Sequence, residues 1–116
     1  MTKDERIQKA LKFLTANGYR IGFTSPKRGV DLLLFHDSAP NTVIFVAVMP
    51  LTGKSFPMQP FSNTEKGKRR FLSLVNGSKM WFKEVGWTSK ARYDSVVVSD
   101  NGMIDHIENA GRKALR

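Results

Sequence analysis

Two runs of almost uninterrupted apolar residues constrain the fold of this 116-residue chain more than any other feature. They span residues 30–35 and 42–48, and they are rich in Val, Ile, Leu and Phe. Runs of this length are typical of strands buried on both faces. The HDSAPN segment between them contains turn-forming residues. The sequence therefore predicts a β-hairpin whose two faces are both covered by other elements.

A helix is predicted before this hairpin, over Thr2–Asn17. Thr2 is the expected N-cap, and Glu5, three residues later, completes a capping box. Gly18 follows as a natural C-terminal stop. One face of the helix is apolar, with the residues Ile7, Ala10, Leu11 and Leu14 at helical spacing.

The remaining segments predict a mixed α/β domain with a small sheet. In order, they are a strand at Tyr19–Phe23 with an SPKRG turn, a loop at Met49–Asn63, a helix from Asn63 or Thr64 to about Glu84, a strand at Ala91–Ser99, and an edge strand at Met103–Ile107. Gly77 is expected to weaken or break the second helix. Glu108–Arg116 is expected to form a short helix or a frayed tail.

The charge of the chain indicates a polyanionic partner. Nineteen Lys and Arg stand against ten Asp and Glu, which gives a net charge of +9. Such a domain commonly binds nucleic acid, an anionic membrane face or an acidic protein, although a basic surface that only maintains solubility is the simpler interpretation. The absence of cysteine excludes disulfides, thiolate zinc sites and a cysteine nucleophile.

The chain is also expected to lie outside membranes. No segment approaches the roughly 18 apolar residues of a membrane span, and the charged start differs from a signal peptide. We therefore expect a soluble, cytoplasmic protein.

The densest basic cluster, KGKRR, lies at the start of the second predicted helix. Its side chains suit a phosphate backbone, and a solvated helix face is the alternative. Phe56, Phe61 and Trp81 are candidates for stacking on unpaired bases, or else belong to the core. The candidate nucleic-acid-binding residues are Lys27, Arg28, Lys66, Lys68, Arg69 and Arg70.

Asp31 is the most informative acid because it stands in an apolar strand, where an unpaired carboxylate is costly to bury. It is expected to be a ligand, a cap or the partner of an ion pair, with Lys27 and Arg28 close in sequence. His36 and His106 form no spacing motif, and each is expected at the surface or at a strand end.

These segments, in this order, resemble the YraN-like proteins, a family of small bacterial proteins of the restriction-endonuclease-like, PD-(D/E)XK nuclease superfamily. The resemblance spans about Ile7–Ala110. NGYRI matches the end of the family's leading helix and its first strand, KRGVDLLL its "GGEIDLI" segment, and VIFVAVMP its "LVFVEVKxR" segment. The most specific match is ARYDSVVVSDNGMIDHIENA, which is similar to the closing "RFDVVAV…IEHIxNAF" of the family.

The resemblance implies a restriction-endonuclease-like three-layer core in α-β-β-β-α-β order, with a small mixed sheet flanked by helices. It also implies a Mg²⁺ site in which Asp31 is a catalytic remnant. The family's other acids fall on Gly29 and Ala47, and its lysine falls on Met49. Neither Ala nor Met ligates a hard cation. We therefore expect this protein to bind DNA without a cofactor and without cleaving it.

Two alternatives remain open at this stage. Glu65, Lys66 or Lys68 could move toward Asp31 and complete a metal-dependent nuclease. The loop between Phe56 and Phe61 could instead supply the surface of a protein-interaction module or homodimer.

Overall fold

The computed structural model describes residues 1–51 and 65–110, with the side chains of residues 23–27 and 66 excepted. Its elements are α1 (Lys3–Ala16), β1 (Arg20–Lys27), β2 (Val30–Phe35), β3 (Thr42–Pro50), α2 (Glu65–Val85), β4 (Lys90–Val98) and β5 (Ile104–Ile107). The predicted positions of both helices and of the central hairpin are confirmed. The predicted loop at 49–63 begins too early, because Met49 and Pro50 extend β3; residues 52–63 of that loop lie outside the described residues.

The sheet is mixed, with its five strands in the order β1-β2-β3-β4-β5. β3 and β4 are parallel, whereas the other three pairs are antiparallel. A parallel pair requires a long crossover connection, and α2 lies within the segment that makes it. The predicted return of an edge strand after the DNG turn is confirmed by the pairing of β5 with β4.

A helix covers each face of the sheet. On β2, Leu32 and Leu34 pack in the core cluster beneath α1, whereas Leu33 packs in the cluster beneath α2. The same alternation continues on β3, where Val46 belongs to the α1 side and Phe45 to the α2 side. Because each strand contributes to both cores, the central runs are almost entirely apolar. The architecture is a three-layer α/β domain.

The N-terminus of α1 has the capping box that the sequence predicts. The Thr2 side chain accepts a hydrogen bond from the Glu5 amide, and the Glu5 carboxylate accepts one from the Thr2 amide. These bonds hold the pKa of Glu5 below its ordinary value. Gly18 follows the helix with a φ of +89°, as expected of a residue that ends a helix.

Two predicted breaks are wrong. Ser25, Pro26 and Lys27 belong to β1 rather than to a turn. β1 is an edge strand. A proline is tolerated there because one side of the strand has no neighbouring strand that needs its backbone N–H. The register shifts of its pairing with β2 also accommodate the irregular sequence. The chain turns only at Arg28 and Gly29.

Gly77 does not interrupt α2 but brings it close to the sheet. A Cβ atom at this position would lie 2.5 Å from the Arg28 carbonyl oxygen and 2.8 Å from Cγ2 of Val30. The missing side chain therefore allows α2 to contact the turn between β1 and β2. Propensity alone did not indicate this role, because the contact joins distant parts of the chain.

Candidate functional site

Asp31 lies on β2 and is only 4% exposed. One of its oxygens accepts hydrogen bonds from the Val48 amide at 2.7 Å and from Nη2 of Arg70 at 2.8 Å. The other oxygen lies 3.5 Å from Nζ of Lys3. A single acid thus holds two cations, one from each helix, and the group carries a net positive charge.

Arg70 connects this acid to the neighbouring turn. Its Nη1 donates to the Gly29 carbonyl oxygen at 2.7 Å, while its Nη2 binds Asp31. Gly29 has a φ of +89°, and a Cβ atom there would lie 2.2 Å from the carbonyl oxygen of Ser73. Only glycine fits this place, where the turn meets α2. The arrangement fixes the start of α2 against the sheet.

The partners of Asp31 differ from those that the sequence predicts. The ion pair is present, but its cations are Lys3 and Arg70 rather than residues of the adjacent turn. Arg28 is exposed, and the Lys27 side chain lies outside the described residues. Arg70 is 39 positions from Asp31. Sequence spacing gives no signal for a pair at that separation.

Ala47 and Met49 lie on the α2 side of β3, the first fully buried and the second half-buried. The ladder between β2 and β3 ends at Leu32 opposite Val46, and Asp31 follows one position beyond it. The Asp31 carboxylate therefore reaches the segment of β3 around Ala47. It meets the backbone of Val48 there rather than a second carboxylate.

The acids of the chain are dispersed. All ten Asp and Glu lie within the described residues. Across residues 1–51 and 65–110, no group of three or more His, Asp or Glu side chains converges in a way that could hold a metal ion. Of the residues considered for a relocated site, Glu65 and Lys68 are exposed. The Lys66 side chain is not described.

The outer face of α2 carries the largest set of exposed cations on any one described helix. At about 100° per residue, its exposed positions from Glu65 to Lys83 fall within an arc of about 120°. Four of them, Lys68, Arg69, Lys79 and Lys83, are basic and exposed. We call these four residues the α2 basic face. From first to last they extend about 22 Å along the helix axis.

The structure divides the described side chains of the KGKRR cluster between two surroundings. Lys68 and Arg69 belong to the α2 basic face, but Arg70 turns toward Asp31. Lys79 and Lys83, outside the cluster, complete the face. Helical periodicity applied to the charges, rather than their local density, would have identified them.

The aromatic residues described on α2 face the core. Trp81 is buried and packs edge-on against Phe45, with ring centroids 5.7 Å apart. Phe82 makes a similar contact with Phe45 at 5.4 Å. The core alternative is thus confirmed for Trp81. Phe56 and Phe61, and with them the predicted interaction loop, lie outside the described residues.

A second polar cluster, which the sequence analysis missed, surrounds Asp94 on β4. This carboxylate is fully buried and accepts two hydrogen bonds from Arg92, at 2.9 and 2.8 Å. His106 Nε2 lies 2.8 Å from it, and the Asn109 amide donates at 2.9 Å. Burial alone would raise the pKa of Asp94, but the bonds from His106, Arg92 and Asn109 outweigh it and hold that pKa below its ordinary value.

Tyr19 extends the second cluster toward α1. Its hydroxyl accepts from Nη2 of Arg92 at 3.1 Å and donates to Glu108 at 3.2 Å. Burial raises the pKa of Tyr19. The hydrogen bond from Arg92 lowers this pKa, but by less than burial raises it. The cluster connects β4, β5 and the start of β1, so its role is to stabilise the fold.

The two histidines both contact Tyr19. The His36 ring lies 4.4 Å from the tyrosine ring, and the His106 ring lies 5.4 Å from it. His36 is at the end of β2, as expected, where its Nδ1 accepts from the Ser38 amide. His106 is within β5 and bound to Asp94, so the expectation of a surface or strand-end residue is wrong for it.

These features define a three-layer α/β protein with two buried, cation-paired acids, Asp31 and Asp94, and one basic helix face. No family model matches the sequence, and no curated protein matches it either. Among the described residues, neither helix is long and apolar enough to cross a bilayer.

Proposed function

We propose that this protein binds nucleic acid, with DNA the preferred partner, by holding phosphates on the α2 basic face. The observation that carries the proposal is the exposure of Lys68, Arg69, Lys79 and Lys83 along one side of a single helix. Phosphate contacts from Lys and Arg release condensed counterions, so a row of cations gives affinity without base recognition. The net charge of +9 attracts the same partner over longer distances.

The resemblance to restriction-endonuclease-like proteins belongs to this proposal. The three-layer α/β architecture and mixed sheet are compatible with it. Within it, Asp31 is the remnant of a metal-binding acid whose charge is now compensated by Arg70 and Lys3. Under this proposal the protein binds nucleic acid without cleaving it.

The test compares two variants that remove the same amount of charge. One replaces three residues of the α2 basic face, K68Q/K79Q/K83Q, and the other replaces three exposed lysines of α1, K3Q/K9Q/K12Q. Because the two helices cover opposite faces of the sheet, only the first set lies on the proposed surface. Binding of a fluorescent 20-base-pair duplex is measured by anisotropy at 50 mM salt.

We expect the α2 variant to bind at least tenfold more weakly than the parent protein and the α1 variant to retain most of its affinity. Equal losses would mean that net charge alone attracts the duplex, and no binding by the parent would overturn the proposal. Lys3 also pairs with Asp31, so the K9Q/K12Q double variant provides a control that leaves this pair intact.

A cleavage assay tests the alternative of a relocated catalytic site. Duplex, branched and single-stranded DNA are incubated with the protein in Mg²⁺ or Mn²⁺. We expect intact DNA. Cleavage that disappears in Asp31→Ala would establish a metal-dependent nuclease and overturn the non-cleaving part of the proposal.

A further inference from the structure

The exposed side of α2 also holds uncharged residues that phosphate binding does not explain. Leu72 is 57% exposed and Met80 is 54% exposed. Asn76 lies between them and is also exposed. These three residues are spaced four apart, so they form one row along the helix.

In helical projection the α2 basic face flanks Leu72 and Asn76 on both sides, whereas Met80 lies at one edge of the exposed arc. In helical projection, Asn76 lies about 20° from the midline of the exposed arc and near its middle along the axis. Arg69 and Lys83 stand seven residues before and after it, about two turns away in each direction. An amide at the centre with cations around it is an arrangement suited to reading a base between two phosphate backbones.

We infer that α2 inserts into the major groove of duplex DNA and that Asn76 contacts an adenine there. This inference rests on the proposed function and names its substrate. The major groove is about 12 Å wide and admits one α-helix, whose diameter with side chains is about 10–12 Å. The Asn side chain can pair with N6 and N7 of adenine through both of its amide atoms.

Leu72 and Met80 fit the same occupant. In the major groove an A·T pair presents the thymine methyl group, which apolar side chains contact. The exposed side chains of Leu72 and Met80 would then become buried against the DNA when the helix is bound. The expected preference is for A·T pairs at the position that Asn76 reaches.

Other polyanions fit this surface less well. Single strands are bound by stacking on aromatic side chains, and the Trp81 and Phe82 rings on α2 pack against Phe45 in the core. The major groove of duplex RNA is too deep and narrow for a helix. Interfaces with proteins are depleted in lysine, whereas three of the four cations here are lysines.

The experiment selects bound duplexes from a random 20-base-pair library and sequences them. The parent protein is compared with Asn76→Ala and with Gln8→Ala, which removes an exposed amide from the outer side of α1. Asn76 is exposed, and alanine is the better helix former, so the variant is expected to fold. Circular dichroism and thermal unfolding verify this.

We expect the parent and Gln8→Ala to enrich the same A·T-containing site. For that site, Asn76→Ala should bind about tenfold more weakly, with unchanged affinity for a random duplex. Duplex binding by the parent with no enriched sequence, or an unchanged preference in Asn76→Ala, overturns base contact and leaves the proposed function intact. A parent that binds no duplex overturns both.

Discussion

At the scale of single residues, the Asp31 carboxylate joins three parts of the fold. It accepts from the β3 backbone and pairs with a cation from each helix. Arg70 is itself mostly buried, with its side chain 24% exposed. Loss of the carboxylate would leave that guanidinium and the Val48 amide without this acceptor, in surroundings where water replaces it poorly.

Asp31→Ala is therefore expected to lower the free energy of unfolding by about 2–4 kcal/mol. Urea denaturation followed by circular dichroism measures the change. Asp37→Ala is the matched control, because its ion pair with Arg20 is exposed on both sides. It should change stability little. Equal effects of the two substitutions would show that burial adds nothing to the Asp31 pairs.

Gly77 gives a second prediction at this scale. Helix propensity alone would make Gly77→Ala stabilising by about 1 kcal/mol. The added Cβ, however, would meet the Arg28 carbonyl oxygen at 2.5 Å. We expect a net destabilisation of about 1–3 kcal/mol, as overpacking commonly causes.

Asn76→Ala, on the preceding and exposed position of the same helix, provides the control for Gly77. It changes propensity without a close contact and should raise stability slightly. Thermal unfolding of the two variants separates the effects. If Gly77→Ala is as stable as the parent, α2 does not need its close approach to the turn.

At the scale of elements, the Asp94 cluster attaches β5 to β4 and fixes the residues that follow. The carboxylate binds Arg92 on its own strand, His106 on β5 and the Asn109 amide beyond it. Asn109 has a φ of 54°, a left-handed conformation that asparagine tolerates better than most residues. β5 has only four residues, so these bonds are a substantial part of its attachment.

The cluster predicts a loss of stability in acid. The pKa of Asp94 is lower in the folded protein than the ordinary value of 3.8 that applies to the unfolded chain. The ionised carboxylate therefore contributes its full stabilisation above that value, and the contribution is lost as the pH falls through the lower, folded pKa. Unfolding should become easier below about pH 4.

Urea denaturation between pH 6 and pH 2.5 tests this linkage on the parent and on Asp94→Asn. The variant should be less stable at pH 6, and the difference should narrow as the acid is titrated. A difference that stays constant over this range would contradict the assignment. Asp37→Asn, whose carboxylate is exposed, controls for general charge effects.

At the scale of the whole molecule, the proposed function predicts a strong dependence of DNA binding on salt. If the four cations of the α2 basic face each neutralise one phosphate, the slope of log K against log salt is about −3.6. Affinity then falls roughly a hundredfold between 50 and 200 mM salt. Titrations at four salt concentrations measure the slope.

The K68Q/K79Q/K83Q variant should reduce that slope to about −1, because one phosphate contact remains. The K9Q/K12Q control should keep the parent slope. A variant that binds more weakly but with an unchanged slope would place the phosphate contacts elsewhere on the molecule.

The sequence alone determined the elements and their order, because each depends on local chemistry. The apolar runs predicted β2 and β3, because strands covered on both faces bury residues on each side. The capping pair Thr2 and Glu5 predicted the start of α1. The isolated position of Asp31 among apolar residues also indicated a paired carboxylate. These signals need only neighbouring residues or a fixed period.

Tertiary structure alone decided which groups meet. Three contacts show this. Asp31 pairs with Arg70, and Gly77 packs against Arg28, although these residues are distant along the chain. His106 contacts Asp94 because their two strands lie side by side in the sheet. Such contacts depend on how helices lie on the twisted sheet and on where side chains find room. A linear pattern of charge and hydrophobicity does not contain that information.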